Sequence, residues 1–365
     1  MVAQLCLFLA EVFLVFSCVN WIIPFWQSKA KKDMTVASFL NWVGVFAGTT
    51  VLIGVLANGV IEKTSLLVPA TLVMLATSGS FFYTHFQDKK YAKLVVTALF
   101  CGIGLFLVPF DIVSSPLGAV YKVLALLLWI AFIYMMQQFD RVFLFSFSTF
   151  SVLLITASLM CSSVFPLLDS GFQFMCLSTL VVLGAMSFLW KRIGIFLQGP
   201  TFVFFMSYLI GYLGYHLAMA GEGSVLPIFV AYELMEITMA LCANFYLYKK
   251  LFPIQAPFLI EKAIMTGKDV GKAIKKVFSI SFFFAMLALI SAYILRKDIS
   301  VMGIKNIKYM YLFAVILLFQ TYLILSSWGQ PKVEFKNLFK DIKSEIKKAK
   351  KIVLDKKASS SKKKK

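Results

Sequence analysis

The sequence predicts an all-α protein: a polytopic integral membrane bundle of about eleven transmembrane helices, followed by a basic amphipathic tail. Three observations predict it. Of the 365 residues, 60% are apolar and 15% are charged, where a soluble domain carries roughly 25% charged residues. The mean hydropathy is +0.86. The apolar residues gather into runs of about 20, the length a helix needs to cross a hydrocarbon core roughly 30 Å thick. This composition excludes a soluble globular domain, a disordered chain and a disulfide scaffold.

The candidate spans lie near residues 3–25, 40–61, 65–84, 94–113, 118–137, 142–161, 172–190, 201–220, 224–248, 277–295 and 308–328. The first carries Glu11 and lacks a small-residue cleavage site, so it reads as a retained span and not a removable signal. Basic loop residues set the orientation. Lys29, Lys31 and Lys32 follow the first span, and Lys89, Lys90 and Lys93 the third. Arg141 follows the fifth, Lys191 and Arg192 the seventh, and a run from Lys249 to Lys276 the ninth. With alternating spans these loops share one side, and the opposite loops are nearly uncharged. Arg296, Lys297, Lys305 and Lys308 break the pattern. The balance places the N-terminus outside and the C-terminus in the cytoplasm. The setting this implies is a bacterial inner membrane, or the endoplasmic reticulum in a eukaryote.

Residues 1–330 thus form one transmembrane domain and 331–365 a cytoplasmic tail. From Lys332 onward the tail has 14 lysines against Glu334, Asp341, Glu345 and Asp355, which is +10 of the chain's +19. Phe335, Phe339, Ile342, Ile346 and Val353 recur at helical spacing, with lysines between them. A basic amphipathic helix of this kind lies in the membrane interface, drawn by anionic lipid; a solvated tail that sets topology is the plainer reading. Nucleic acid is not an expected partner. Lys362 to Lys365 also fit a di-lysine retrieval signal in a eukaryotic host.

The six cysteines, Cys6, Cys18, Cys101, Cys161, Cys176 and Cys242, sit in apolar stretches without a CxxC pair, so they read as small hydrophobes. With two histidines in the chain, no His-based metal centre is expected. Charges inside spans are costly and default to functional hypotheses. Glu11 lies in the first span; a protonated or paired carboxyl is its plain reading. Asp140 and Arg141 adjoin the fifth span, where an interface pair is the plain reading. Glu233 and Glu236 lie three residues apart in the ninth and share a helical face. They bind a cation, shuttle a proton, or form a polar seam between helices. His216 reads as an interhelical hydrogen-bond former, and His85 is given no role. No internal repeat of the secondary-transporter kind is evident.

The order of segments resembles the polyprenyl-phosphate N-acetylhexosamine-1-phosphate transferases, the glycosyltransferase family 4 enzymes that include phospho-N-acetylmuramoyl-pentapeptide transferase. The stretch Phe188-Leu189-Trp190, Ile195-Phe196-Leu197-Gln198-Gly199-Pro200 and Tyr208 to Gly214 resembles that family's helix end, Gly-Asp motif and Gly-rich span. Leu226-Pro227 and Glu233-Leu234-Met235-Glu236 follow where it has a Leu-Pro span and a Pro-Leu-Met-Asp-like element, and Ala256-Pro257-Phe258 where it often has Ser-Pro-Phe. Gly79 to Phe82, Asp88 and Lys93-Leu94 are similar to its Gly-Leu-Leu-Asp-Asp…Lys-Leu region, and Gln137 to Arg141 stand where it has an Asn- and Asp-rich motif. No motif is intact.

The resemblance implies a phospho-sugar transfer from a UDP-sugar to a polyprenyl phosphate, with Mg²⁺ on aspartate oxygens. Ser80, Phe81 and Phe82 replace the paired aspartates, Gly199-Pro200 replaces Gly-Asp, and the His motif is missing between Phe258 and Gly267. Asp140 and Glu236 remain as catalytic relics. The resemblance therefore implies a degenerate homologue without a cofactor, with Mg²⁺ needed only by an active one. It would bind a polyprenyl phosphate or another anionic lipid beside glycan-assembly proteins, holding the phosphate with Lys93, Arg141, Lys191 and Arg192. Two alternatives stay open: an active transferase with relocated acids, and a transporter or lipid translocase using Glu11, Glu233 and Glu236.

Overall fold

A backbone out of water must bond its N–H and C=O groups internally, and every element described in this chain is helical. The computed structural model describes residues 44–45, 47–57, 66–85, 90–105, 116–138, 143–162, 168, 171–193, 200–219, 223–250, 254, 258, 261–262, 270–297 and 307–326. The helices are α1 (Ala47–Ala57), α2 (Leu67–His85), α3 (Lys90–Leu105), α4 (Pro116–Gln138), α5 (Phe143–Met160), α6 (Gly171–Ile193), α7 (Pro200–Leu217), α8 (Leu226–Phe229), α9 (Ala231–Tyr248), α10 (Val270–Lys297) and α11 (Ile307–Ser326). Pro116 and Pro200 open α4 and α7 at the first helical position, where a missing N–H costs nothing. The candidate span at 3–25 and the tail lie outside the described residues.

The chain divides into two compact units. The first takes the described residues of Met1–Leu234 and Ile274–Ile316, the second those of Met235–Ala273 and Leu317–Lys365. Within the first unit α7 is the central helix. A helix that is apolar all round must be packed all round. Phe202, Phe204, Phe205, Tyr208 and Tyr212 of α7 are fully buried, against α4 and α2 chiefly and α5 in part.

Trp129 of α4 fills a notch made by two glycines. A Cβ at Gly211 of α7 would lie 2.2 Å from the indole Cδ1, and one at Gly104 of α3 would lie 2.7 Å from its Cη2. The indole N–H donates to the Tyr208 carbonyl at 3.2 Å, and the Tyr208 hydroxyl donates to the Phe100 carbonyl at 2.9 Å. On α4, Ala125, Trp129, Ile133 and Met136 are buried, whereas Val120, Val123, Leu124, Leu127 and Leu128 form an exposed aliphatic stripe. Spacings of three and four residues put each set on one face.

In the second unit α9 ends at Lys249, whose φ of 56° is left-handed. Its N–H donates to the Phe245 carbonyl at 2.9 Å, and the Asn244 side-chain amide donates to the Lys250 carbonyl at 2.8 Å. Glycine is the usual residue at such a helix end. Lys249→Gly removes a left-handed cost of roughly 1–2 kcal/mol and gives up exposed contacts of its ammonium with the Phe245 and Tyr246 rings, about 0.5–1 kcal/mol together. A net gain below about 1 kcal/mol is expected, read as a small rise in thermal midpoint; a fall would mean the ring contacts dominate.

Among the described residues, Lys272–Tyr293 within α10 is long and apolar enough to cross a membrane alone. The pair Gly223–Phe229 and Ala231–Tyr248 makes a second if counted as one span. The other apolar segments, such as Leu67–Tyr83 and Thr201–Leu217, run 10–17 residues. At 1.5 Å per residue, 17 residues reach about 25 Å, a few ångströms short of the hydrocarbon core. What is described is therefore an all-α chain with one or two such helices, not eleven. The expected continuous span at 224–248 is also corrected. A 3₁₀ turn at Gly223–Val225 leads into the four-residue α8. Val230 then leaves the helical conformation (φ −111°, ψ 25°), and the axis turns by 66°. Pro227 has no N–H to continue a helix from upstream, so it sits in the first turn of a new one.

Candidate functional site

Two polar places stand out in the first unit. One is at the meeting of α2, α3 and α4. The Tyr83 hydroxyl of α2 donates to Gln137 Oε1 of α4. The Lys93 ammonium of α3 lies 4.9 Å from the centre of the Tyr83 ring, and Phe204 of α7 stacks with that ring at 5.1 Å between centroids. The ring thus holds a cation on its π face, an attraction worth about 0.5–2 kcal/mol depending on exposure. Gln137 Nε2 is buried and has no hydrogen-bond partner among the described residues. A buried amide donor left so costs roughly 1–3 kcal/mol, and an incoming oxygen would offset that.

Lys93 also heads an exposed apolar strip on α3: Leu94, Val95, Leu99 and Ile103. From Leu94 to Ile103 the helix rises about 14 Å. Phe81 and Phe82 of α2 are exposed as well, and Phe82 lies 5.9 Å from Phe100 of α3, centroid to centroid. A cation at the end of an apolar strip is the surface an anionic amphiphile complements.

The same region tests the Mg²⁺ implied by the resemblance. Where paired aspartates would stand, Ser80 is buried and its hydroxyl donates to the Ala76 carbonyl of its own helix at 2.7 Å. Phe81 and Phe82 present phenyl rings. These residues do not fit a hard divalent cation, which takes oxygen ligands. Among the described residues no group of three His, Cys, Asp or Glu side chains is placed to hold a metal.

The second place is inside the bundle. Glu233, in the first turn of α9, is 1% exposed. Its Oε1 accepts a hydrogen bond from Thr149 Oγ1 of α5 at 3.2 Å and one from Ser281 Oγ of α10 at 3.0 Å. Among the described residues no cationic side chain pairs with it. Glu236, one turn on and already in the second unit, is fully buried. His216 of α7 sets its ring edge-on to Phe172 at 5.4 Å, so packing accounts for at least one of its faces.

Of the residues expected to act, Lys93, Glu233 and Glu236 are placed as above. Lys191 and Arg192 fall in the last turn of α6. Glu11, Asp140 and Arg141 lie outside the described residues. The sequence reading missed Tyr83, Thr149 and Ser281, and named Gln137 only within a motif. One signal was available: α5 carries Ser146, Ser148, Thr149 and Ser151 within six residues of an otherwise apolar run. Comparison with protein-family models, with curated proteins and with solved structures finds no match to this chain.

Proposed function

We propose that this chain is a polytopic membrane protein that binds the phosphate of a polyprenyl phosphate or a related anionic lipid at Lys93, without catalysing sugar-phosphate transfer. In that reading it is a degenerate relative of the transferases it resembles and a partner in glycan assembly. The observation that carries the reading is the pairing of Lys93 with the exposed strip Leu94, Val95, Leu99 and Ile103. The strip takes an acyl or prenyl chain, Lys93 takes the phosphate charge, and Gln137, which accepts from the Tyr83 hydroxyl, has an amide donor to offer. The aliphatic stripe of α4 supports a lipid surround, since such faces are rare on soluble monomers. The apolar segments a few ångströms short of the core are accommodated by local thinning at a fraction of a kcal/mol per ångström.

Native mass spectrometry of the full chain in detergent tests this, with undecaprenyl phosphate and neutral undecaprenol as probes. The phosphate lipid is expected to stay bound and the alcohol to be lost. Lys93→Ala should weaken phosphate-lipid binding about tenfold, the loss of one charge-assisted contact. Equal retention of both lipids, or an unaffected Lys93→Ala protein, overturns the reading. Turnover of a UDP-sugar with Mg²⁺ would overturn its non-catalytic part.

A further inference from the structure

We infer that Glu233, Thr149 and Ser281 form a binding site for a small monovalent cation, of which Na⁺ is the best fit. The site is separate from the Lys93 edge and stands whether or not lipid binds there. The first ground is charge. An ionised carboxylate inside an apolar bundle needs compensation, and among the described residues the side-chain partners of Glu233 are two neutral hydroxyls.

The second ground is how the hydroxyls are used. Ser80, Thr156, Thr179, Ser207 and Ser291 are all buried, and each donates to the carbonyl four residues back in its own helix. Thr149 and Ser281 do otherwise. From two separate helices they converge on one oxygen of a third. Each hydroxyl that donates to Oε1 keeps lone pairs, so the three side chains supply oxygen donors around one point.

The third ground is the backbone. α9 begins only two residues before Glu233, after the break at Val230. Interrupted helices are a common setting for ion sites in membrane proteins; at this break the Leu226 and Val230 carbonyls accept the N–H groups of Val230 and Leu234, so the side chains are the donors. The donor set is all oxygen, which selects a hard cation. A single carboxylate with neutral hydroxyls balances one positive charge, which selects a monovalent one.

The test uses the full chain in lipid nanodiscs. Unfolding is followed with a thiol-reactive dye that reports exposure of the buried cysteines Cys101, Cys161 and Cys176. The thermal midpoint is expected to rise with NaCl and not with choline chloride at equal ionic strength, as linkage requires of a ligand that binds the folded state. Glu233→Gln should abolish the Na⁺ response. Ser281→Ala and Thr149→Ala should each move its half-maximal concentration upward by about tenfold. Identical midpoints in NaCl and choline chloride overturn the proposal, as does a Glu233→Gln protein that keeps the response. A midpoint that follows pH and ignores Na⁺ also overturns it, because the carboxyl is then simply protonated. If Glu233→Gln does not fold, the two hydroxyl variants decide: an unchanged Na⁺ response in both sinks the site.

Discussion

Trp129→Ala is expected to destabilise the protein by about 3 kcal/mol, the low end of the range for truncating a buried large aromatic. The side chain is 2% exposed and fits between Gly104 and Gly211, so no neighbouring side chain can swing in to fill the space. The variant also loses the indole hydrogen bond to Tyr208 and ring contacts to Tyr208 and Tyr212 with centroids at 4.9 and 5.7 Å. Each such aromatic pair is worth roughly 0.5–1.5 kcal/mol. The low end of the range applies in the proposed lipid surround, which would solvate the separated helices and make the loss one of packing and not of transfer from water. Leu127→Ala, on the exposed stripe of the same helix, should cost little. Denaturant titration of both variants checks the contrast, and equal losses would refute the inward placement of Trp129. Gly211→Ala alone should be as harmful as Trp129→Ala, because its Cβ would strike the indole. Combined with Trp129→Ala it should be milder than the sum, since the struck group is gone.

Gly44→Ala should cost about 2–3 kcal/mol, toward the upper part of the range for overpacking. The added Cβ would sit 2.6 Å from the Thr201 carbonyl oxygen, 2.7 Å from its carbon and 3.0 Å from the Phe202 nitrogen. All three are backbone atoms at the start of α7, so relief requires the backbones to part. Gly48→Ala is the instructive comparison. Its Cβ would come closer still, 2.0 Å from Thr77 Oγ1, yet that atom ends a side chain. Thr77 can swing its hydroxyl away at the expense of its hydrogen bond to the Val73 carbonyl, worth about 1 kcal/mol, which leaves a milder overlap of 2.9 Å with its Cβ. Gly44→Ala should therefore be the more damaging of the two, although its nearest contact is longer. A thermal midpoint lower for Gly48→Ala than for Gly44→Ala would reverse that ranking and show that the two backbones yield more readily than Thr77.

Helix positions were largely legible in the sequence. The expected runs at 118–137, 142–161, 172–190 and 201–220 meet helices at Pro116–Gln138, Phe143–Met160, Gly171–Ile193 and Pro200–Leu217. Proline marks two of these starts, and apolar runs need no long-range information. The break at Val230 was not legible, because composition on either side of it is equally apolar. Glu233 was legible as an acid in an apolar run. Its partners were not: Thr149 is 84 residues away and Ser281 is 48, and nothing local dictates which helix faces which. Lys93 was legible as an edge cation. Tyr83 and Gln137 were not, since their meeting depends on α2 and α4 both packing against α7 and not on either helix alone.

The notch around Trp129 has an optical consequence. Three phenol rings lie within 5.9 Å of the indole, those of Tyr208, Tyr212 and Tyr215, close enough to hand it their excitation. Its fluorescence is thereby tied to the separation of α4 from α7, and any event that pries that seam apart weakens the transfer from the Tyr208, Tyr212 and Tyr215 rings.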